Sequence, residues 1–245
     1  MPKVRLDTLM VARGLAESRD WAQRLIRAGE VCVNGQLVDQ PARRFDEHVV
    51  ITVAQAPKYV SRGGYKLEAA LDHFGIMPNG WVCADVGSST GGFTDCLLQR
   101  GAARVYAVDV GHNQLHWRLR QDARVVVMEG VNARYLDALP EPVALATVDV
   151  SFISLELILP KVFGWIAQSA RRTGGVIALI KPQFEAGRAQ VGKGGIVRDA
   201  QVHRDVIARI TAFCARQGWP ARDVIESPIL GADGNKEFLA WLTAD

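Results

Sequence analysis

Five short apolar segments alternate with helical segments between residues 81 and 181, and this alternation constrains the fold more than any other feature. Segments of four to eight mostly apolar residues are typical of parallel strands that helices cover on both faces. An open, doubly wound α/β sheet has this organisation and binds its ligand beyond the carboxyl ends of the strands. The predicted strands are WVCAD (81–85), VYAVDV (105–110), VVVM (125–128), LATVDVSF (145–152) and VIALIK (176–181).

Two further segments near the end of the chain predict an antiparallel pair. DVIESPIL (223–230) and KEFLAWL (236–242) are short and largely apolar, and they follow one another in hairpin order. Together with the five preceding strands they give a mostly parallel, seven-stranded sheet. The predicted helices of this part are YKLEAALDHFG (65–75), SLELILPKVFGWIAQSA (154–170) and DAQVHRDVIARITAFCARQG (199–218).

Two helices are predicted in the first thirty residues. A short helix ends near Gly14, and a second helix begins after Ser18, which suits an N-cap, and ends at Gly29. The spacing of apolar positions predicts which side of each helix packs into a core. These positions are Leu6, Leu9 and Met10 in the first helix, and Trp21, Leu25 and Ala28 in the second.

A hairpin and a linker complete the N-terminal part. Asn34-Gly35 lies between two alternating segments and suits a two-residue turn, because both residues tolerate a positive φ. VVITV (49–53) predicts another strand, and QAPKYVSRGG (55–64) has the composition of a linker. We therefore expect a small α/β domain over residues 1–58, a linker over 59–64 and the larger α/β domain over 65–245.

The excess positive charge belongs to the N-terminal part. Residues 1–62 contain ten Lys or Arg and seven Asp or Glu, whereas the other residues contain nineteen of each, so the net charge of +3 arises before residue 63. In the second helix, Arg24 and Arg27 are three residues apart and share one side. Such a face fits a polyanionic partner, although an ordinary solvated surface has a similar composition.

Several classes of protein are disfavoured by composition. No apolar segment approaches the ~18 residues that a membrane helix requires, and the first ten residues lack the apolar stretch of a secretory signal. The four cysteines form no CxxC pair and the chain has five histidines, so we expect reduced thiols and no metal site. These observations predict a cytoplasmic protein.

A glycine-rich segment follows the first strand of the larger domain and leads into a helix. It reads DVGSSTGG (85–92), and a carboxylate, Asp109, ends the next strand. Glycines allow a sharp turn and close approach of a ligand, and Asp109 can accept both hydroxyls of a ribose. A purely structural turn would also contain glycine. An NAD site does not need Asp85, whereas the amino-acid tail of S-adenosylmethionine explains a carboxylate there, so we favour S-adenosylmethionine.

Charged residues also stand at the ends of later strands. Asp149 lies in the fourth strand, where neither an Asn/Asp-Pro-Pro motif nor a cysteine nucleophile is present. Lys181 closes the apolar fifth strand, and lysine seldom ends a buried strand without a partner or a task. The alternative is that Lys181 extends to solvent at the sheet edge. Lys66 and Glu237, taken alone, would be ordinary surface charges.

Several segments together resemble the TlyA family, also called haemolysin A, of FtsJ-like ribosomal RNA 2′-O-methyltransferases. They span nearly the whole chain in the order of that family. The N-terminal part resembles the RNA-binding domain of small-subunit ribosomal protein four. The segments are SRGGYK (61–66), DVGSSTGGFTD (85–95), DVSFIS (149–154), IKPQFE (180–185) and GNKEF (234–238).

The resemblance implies a class I, Rossmann-like methyltransferase fold and transfer of a methyl group from S-adenosylmethionine to a ribose, that of cytidine, in ribosomal RNA, with the large subunit as the favoured target. It implies a catalytic tetrad of Lys66, Asp149, Lys181 and Glu237. The expected cofactor-binding residues are Asp85, Gly87, Ser88, Ser89, Thr90, Gly91, Gly92, Phe93, Asp109 and Asn132. The expected RNA-binding residues are Arg5, Arg19, Arg24, Arg27 and Arg62.

Some functional alternatives remain open at this point. Lys181 can act as a neutral base that takes the proton of the hydroxyl, or as a charged group that stabilises an alkoxide. Asn132 can contact adenine or end a loop, and the glycine-rich, basic segment 184–198 can face RNA or be an idle surface loop. The rival functions are an NAD-dependent oxidoreductase, a non-catalytic ribosome-binding factor and a pore-forming haemolysin; the last conflicts with the lack of a spanning segment.

Overall fold

The computed structural model describes residues 3–16, 18–27, 29–53, 58–170 and 173–244. The chain forms two compact units, over residues 1–57 and 58–245. Residues 59–64, which we predicted to be a linker, belong to the second unit. The Tyr59 side chain is buried, and the Val60 amide donates a hydrogen bond to Asp95 at 2.8 Å. Residues 55–57 of the predicted linker segment lie outside the described residues.

The first unit packs two helices against short antiparallel strands. Strand β2 pairs with β3 and β5, and β1 pairs with β4. The predicted hairpin is confirmed, since Asn34 and Gly35 join β2 to β3 with φ angles of 52° and 79°. The elements are β1 (Val4–Arg5), α1 (Leu6–Ala12), α2 (Arg19–Arg27), β2 (Val31–Val33), β3 (Gln36–Leu37), β4 (Arg44–Phe45) and β5 (Ile51–Val53).

The orientation of α2 differs from our prediction. Ser18 caps the helix as expected, because its hydroxyl accepts a hydrogen bond from the Trp21 amide at 3.2 Å. Trp21, however, is 45% exposed, and Ala28 lies outside the described residues. The buried stripe is Ala22, Leu25 and Ile26, which are related by the i, i+3 and i+4 spacing of one helix face. Choosing Trp21 for the core was therefore wrong.

A buried carboxylate organises the N-terminal unit. The Asp7 side chain is fully buried and accepts hydrogen bonds from Arg5 Nη2 at 2.7 Å and Gln23 Nε2 at 2.9 Å. Arg19 adds a weaker contact at 3.4 Å. The hydrogen bond from Arg5 is the main cause that holds the pKa of Asp7 well below its usual range. Arg5, one of the predicted RNA contacts, therefore already has a partner inside the protein.

The second unit is the predicted doubly wound sheet. The strand order is β11-β12-β10-β9-β6-β7-β8, and all neighbours are parallel except those of β12. The strands are β6 (Val82–Val86), β7 (Arg104–Asp109), β8 (Val125–Glu129), β9 (Leu145–Val148), β10 (Gly175–Ile180), β11 (Ala221–Glu226) and β12 (Phe238–Leu242). The helices are α3 (Gly63–Phe74), α4 (Gly92–Gln99), α5 (Trp117–Arg120), α6 (Leu159–Trp165), α7 (Pro182–Glu185) and α8 (Ala200–Arg216).

Two predicted elements are shorter than expected. Strand β9 ends at Val148, so Asp149 and the residues after it form a loop, in which Phe152 has a φ of 62°. The helix predicted over 154–170 is divided, and its α-helical part starts only at Leu159 with Pro160 in the first turn. Proline fits a first turn because it has no amide hydrogen to donate. Among the described residues, no helix is long and apolar enough to cross a membrane.

We expect Asp7→Asn to destabilise the N-terminal unit by about 1–3 kcal/mol, because the arginines lose a buried, charged acceptor. The pKa of Asp7 is lower in the folded state, so its contribution is complete above the unfolded pKa of about 4 and is lost as the pH falls below it. Hydrogen exchange of the α1 and α2 amides should therefore show a difference between variant and wild type at pH 7 that shrinks toward pH 2. A difference that does not depend on pH would contradict this role. Asp39→Asn, at an exposed residue of the same unit, is the control.

Candidate active site

The glycine-rich loop between β6 and α4 lies against the end of β9. Gly87, Ser89 and Gly91 have φ angles of 81°, 48° and 97°, which are left-handed conformations that favour glycine. A Cβ atom at Gly87 would collide with the carbonyl oxygen of Asp149. Glycine at position 87 therefore allows the loop and the β9 terminus, which come from separate parts of the chain, to meet.

Asp85 supports this loop from below. Its carboxylate is fully buried and accepts hydrogen bonds from the Thr94 amide at 2.8 Å, the Thr94 hydroxyl at 2.7 Å and the Thr147 hydroxyl at 3.1 Å. Burial raises the pKa of Asp85 to about 7, while the hydrogen bonds from Thr94 oppose that rise. Asp85, which we expected beside the cofactor, thus fixes the start of α4 and does not line the cavities described below.

A cavity of about 460 Å³ opens at the carboxyl ends of β6, β7 and β9. Asp109 lies in its wall, and its two oxygens accept hydrogen bonds from the amides of Ser89 at 2.8 Å and Gly111 at 2.7 Å. Asn132 also lines the cavity and accepts from the Arg134 amide at 3.0 Å. The apolar part of the wall, which suits a flat base, is formed by Val86, Val108, Val110, Val131, Ala133, Val150, Ile153 and Ile158.

A second cavity, of about 230 Å³, lies on the other side of the loop. It is lined by the start of α3 and by Ser88, whose buried hydroxyl has no hydrogen-bond partner among the described residues. A Cβ atom at Gly92 would collide with the Ser61 hydroxyl, so this narrow space also requires glycine. An unpaired buried hydroxyl and two helix N-termini suit a polar, zwitterionic group, which is the chemistry of the amino-acid tail of S-adenosylmethionine.

Some of the other predicted cofactor residues line the second cavity, and others pack beneath the loop or in the core. Gly87, Ser89 and Thr90 line the second cavity together with Arg62, a predicted RNA contact. Gly91 instead packs under Leu115 and Leu119, whose side chains a Cβ atom would meet. Phe93 is 3% exposed and belongs to the apolar core, so our expectation of a direct contact is not matched by its position.

Two lysine–carboxylate pairs, one half-buried and one buried, stand at this edge of the sheet. Lys181 Nζ lies 2.6 Å from Asp149 Oδ1, with 11% and 21% of the two side chains exposed. Lys66 Nζ lies 2.5 Å from Glu237 Oε2, with 11% and 3% exposed. The end of β10 and the loop after β9 supply the first pair, and α3 and the residue before β12 supply the second. Lys181 is therefore paired and does not extend to solvent.

The second cavity connects the two pairs. Lys66 and Asp149 both line it, so one member of each pair faces the same space. Lys66 contacts one carboxylate oxygen of Glu237, and Gly231 packs against the other. A Cβ atom at Gly231 would collide with that second oxygen, Oε1. The four residues that the family resemblance grouped thus converge from four separate segments. Paired lysines and carboxylates can orient a hydroxyl group and move its proton.

Two residues of the loop after β9 were not singled out by sequence. The Ser151 hydroxyl accepts a hydrogen bond from Lys181 Nζ at 2.9 Å, in addition to the ion pair. Phe152 is 90% exposed and its ring centroid lies 4.8 Å from that of Phe184, which follows Lys181. Both Ser151 and Phe152 also line the 460 Å³ cavity. A phenylalanine at positive φ is an unusual conformation, but the sequence carries no signal for it.

The segment 184–198 is anchored at both ends. Glu185 is buried and accepts hydrogen bonds from the Leu155 amide at 2.7 Å and the Ser154 hydroxyl at 2.8 Å. Near the other end, the buried amide of Asn235 accepts from the Val197 amide at 2.9 Å and donates to the Gly195 carbonyl at 3.0 Å. The basic residues Arg188, Lys193 and Arg198 are exposed between these anchors.

Comparison with known proteins identifies both units. The FtsJ-like methyltransferase family model matches residues 59–244, and the S4 domain model matches residues 4–51. The chain is 51% identical to a candidate rRNA methyltransferase, YqxC, of Bacillus subtilis, over 98% of this chain and 85% of the relative. It is 43% identical to the 16S/23S rRNA (cytidine-2′-O)-methyltransferase TlyA of Mycobacterium tuberculosis, over 98% and 90% of the two chains.

A solved structure gives the same result. A candidate hemolysin from Streptococcus thermophilus is 45% identical, and the alignment covers 100% of this chain and 90% of that one with a TM-score of 0.73. The matched regions contain the glycine-rich loop, both lysine–carboxylate pairs and the N-terminal unit. The chain therefore belongs to the FtsJ-like methyltransferases, as a member of the TlyA (haemolysin A) family with an N-terminal S4 domain.

Proposed function

We propose that this protein methylates the 2′-hydroxyl of a ribose, that of a cytidine, in ribosomal RNA. S-adenosylmethionine is the methyl donor. The observation that carries the proposal is the pairing of Lys181 with Asp149 and of Lys66 with Glu237 beside a cavity that fits a nucleoside. The relatives named above as rRNA methyltransferases support RNA as the substrate.

The two cavities would hold the two parts of the cofactor. Residues of the 460 Å³ cavity would hold the nucleoside, and Asp109 would accept the ribose hydroxyls with lone pairs that its two amide partners leave free. Ser88 and the start of α3 would hold the amino-acid tail. When bound, S-adenosylmethionine supplies a methyl group on a sulfonium, which is electrophilic without further activation.

The residues of the protein then have to prepare the hydroxyl. A ribose hydroxyl is a weak acid, so the reaction needs orientation and removal of its proton. Lys181 stands where a hydroxyl can replace Ser151 as its hydrogen-bond partner. In its neutral form it takes the proton, and in its charged form it stabilises the developing alkoxide. Asp149 holds the lysine in place, and the Lys66–Glu237 pair positions the opposite side of the hydroxyl.

The exposed ring of Phe152 gives the target base a surface beside Lys181. It stands at the mouth of the site, in contact with Phe184, and 90% of it is open to solvent. Aromatic rings commonly stack on unpaired bases in RNA-binding proteins. A stacked base would leave its ribose near the two lysine–carboxylate pairs.

The target and location are further parts of the proposal. We favour the large ribosomal subunit, and an enzyme that modifies ribosomal RNA works in the cytoplasm. Methylation of isolated large and small subunits with labelled S-adenosylmethionine, followed by mapping of the modified nucleotide, tests this directly. Label in the small subunit alone would contradict the preferred target, and label in neither would contradict the proposed function.

We expect S-adenosylmethionine, and not NAD, to raise the melting temperature, because a ligand that binds only the folded state stabilises it. Asp109→Ala should weaken the affinity on the order of 10- to 100-fold by removing charged acceptors of the ribose. Asp137→Ala, at a carboxylate that pairs with Lys161 outside the cavity, is the matched control. Calorimetric titration measures both. Stabilisation by NAD alone would contradict the cofactor assignment.

We expect Lys181→Ala to lower the rate of methyl transfer by about 10²- to 10⁴-fold, as is usual on loss of a positioned acid–base group. Its affinity for S-adenosylmethionine should stay unchanged, because Lys181 does not line the 460 Å³ cavity. Single-turnover methylation of ribosomal subunits and calorimetry are the two measurements. Lys236→Ala is the control, since this lysine is near Glu237 but pairs with Glu226 at the surface.

Lys181→Arg separates the two roles of the lysine. An arginine keeps the charge and cannot act as a base at neutral pH. Activity that survives in this variant and does not depend on pH indicates charge stabilisation, whereas loss comparable to that of Lys181→Ala indicates proton removal. Wild-type activity and pH dependence in Lys181→Ala would exclude this residue from the mechanism.

A further inference from the structure

The exposed face of α2 carries an aromatic ring, that of Trp21, which phosphate binding alone does not explain. We propose that Trp21 is a stacking platform for an unpaired RNA base and that Arg24 and Arg27 hold the neighbouring phosphates. This inference rests on the proposed function, since it takes RNA to be the substrate. It adds a second kind of contact, with a base, to the electrostatic contacts of the N-terminal unit.

The first observation is the position of Trp21. The apolar face of α2 is completed by Ala22, Leu25 and Ile26, which are all buried. Trp21 lies outside this stripe and leaves 45% of its surface exposed. An indole ring is one of the largest apolar surfaces that a residue can offer, and it gains most when it is covered. The fold of the first unit therefore leaves nearly half of this residue uncovered.

The second observation is the cation that fixes the ring. The guanidinium carbon of Arg24 lies 5.6 Å from the centroid of Trp21, one turn along the exposed side of the helix. A cation–π contact of this kind restricts the orientation of the ring. Among the described residues, Trp21 has no contact with another aromatic ring that would cover its surface. The ring of Trp21 is thus held by Arg24 and still has surface that another ring can contact.

The third observation is the charge around the ring. The exposed side chains of α2 include three arginines, Arg19, Arg24 and Arg27, against one carboxylate, Asp20. Arg19 shares its charge with Asp7, but Arg24 and Arg27 form no ion pair within the described residues. An exposed aromatic ring beside two cations that form no ion pair matches a nucleotide, which offers a base next to a phosphate.

The same argument selects unpaired over paired RNA. Bases inside an A-form helix are stacked on each other and present no free face to a protein side chain. A loop, a bulge or a strand end can release a base onto an aromatic ring, and each such contact contributes measurably to affinity. The face of α2 would therefore recognise a single-stranded element of the substrate.

The test uses the full chain and fluorescein-labelled RNA of about 12 nucleotides, a length within the usual range of single-strand sites. Three probes are compared by fluorescence anisotropy: the single strand, the same strand with abasic central nucleotides, and the duplex. Trp21→Ala should weaken binding of the single strand by about 5- to 100-fold, and Trp21→Phe should restore most of it. Binding of the abasic strand should be the same for Trp21→Ala and wild type.

The controls separate stacking from charge and from unfolding. Leu37→Ala removes another exposed apolar side chain of the same unit and should change nothing. Trp21→Ala should keep the slope of log Kd against log salt, whereas Arg24→Gln combined with Arg27→Gln should reduce it. Thermal unfolding of every variant checks that the unit is intact.

Several results would overturn the proposal. Equal binding of the single strand by Trp21→Ala and wild type is one, and an equal loss on the abasic strand is another. Displacement of the RNA by an acidic peptide that binds more tightly and also requires Trp21 would show a protein-binding face instead. If wild type binds no RNA and methylates no subunit, the proposed function itself fails; if it does both and Trp21→Ala matches it, only the stacking platform fails.

Discussion

The buried ion pair between Lys66 and Glu237 joins the first helix of the second unit to its last strand. The two residues are 171 positions apart, and 11% and 3% of their side chains are exposed. Burying two charges costs desolvation energy that their attraction does not reliably recover, so such a pair is weak evidence for stability. Its position at the edge of the cavity instead suggests a functional reason. The antiparallel insertion of β12 between β10 and β11 is what brings Glu237 to that edge.

The second pair depends on the loop beneath it. Asp149 can lie beside the cavity because its carbonyl contacts position 87, where only glycine fits. The same loop is held by Asp85, whose buried carboxylate binds Thr94 at the start of α4 and Thr147 on β9. The glycine-rich loop and the loop after β9 are therefore mechanically one structure. A change at Asp85 would disturb both, which makes its effects on binding and on rate difficult to separate.

The sequence predicted the elements well and their surroundings less well. Apolar strand segments and the Asn34-Gly35 turn depend on local chemistry, so they could be read directly. The exposure of Trp21 could not be predicted, because a helix with several apolar residues allows more than one inward stripe and only tertiary packing selects among them. The burial of Tyr59, in the segment predicted to be a linker, also depends on tertiary packing. Its side chain contacts Gly64 of α3, and no local pattern encodes this contact.

In the candidate site, too, local sequence predicts some features and tertiary packing determines the others. Lys181 could be singled out from the sequence itself, because it closes an apolar strand. Lys66 and Glu237 could be listed only through the family resemblance, because each alone is an ordinary surface charge. The pairing of the charged residues is a consequence of topology. Phe152 carried no signal, since its exposure and positive φ arise where β9 ends earlier than its apolar run suggests. Residues 63–245 are electrically neutral, so attraction to a polyanion has to come from the N-terminal charges or from local features of the site. In the function that we propose, the exposed ring of Phe152 selects a nucleotide without a strong overall field, and the charges of the N-terminal unit supply the affinity for RNA.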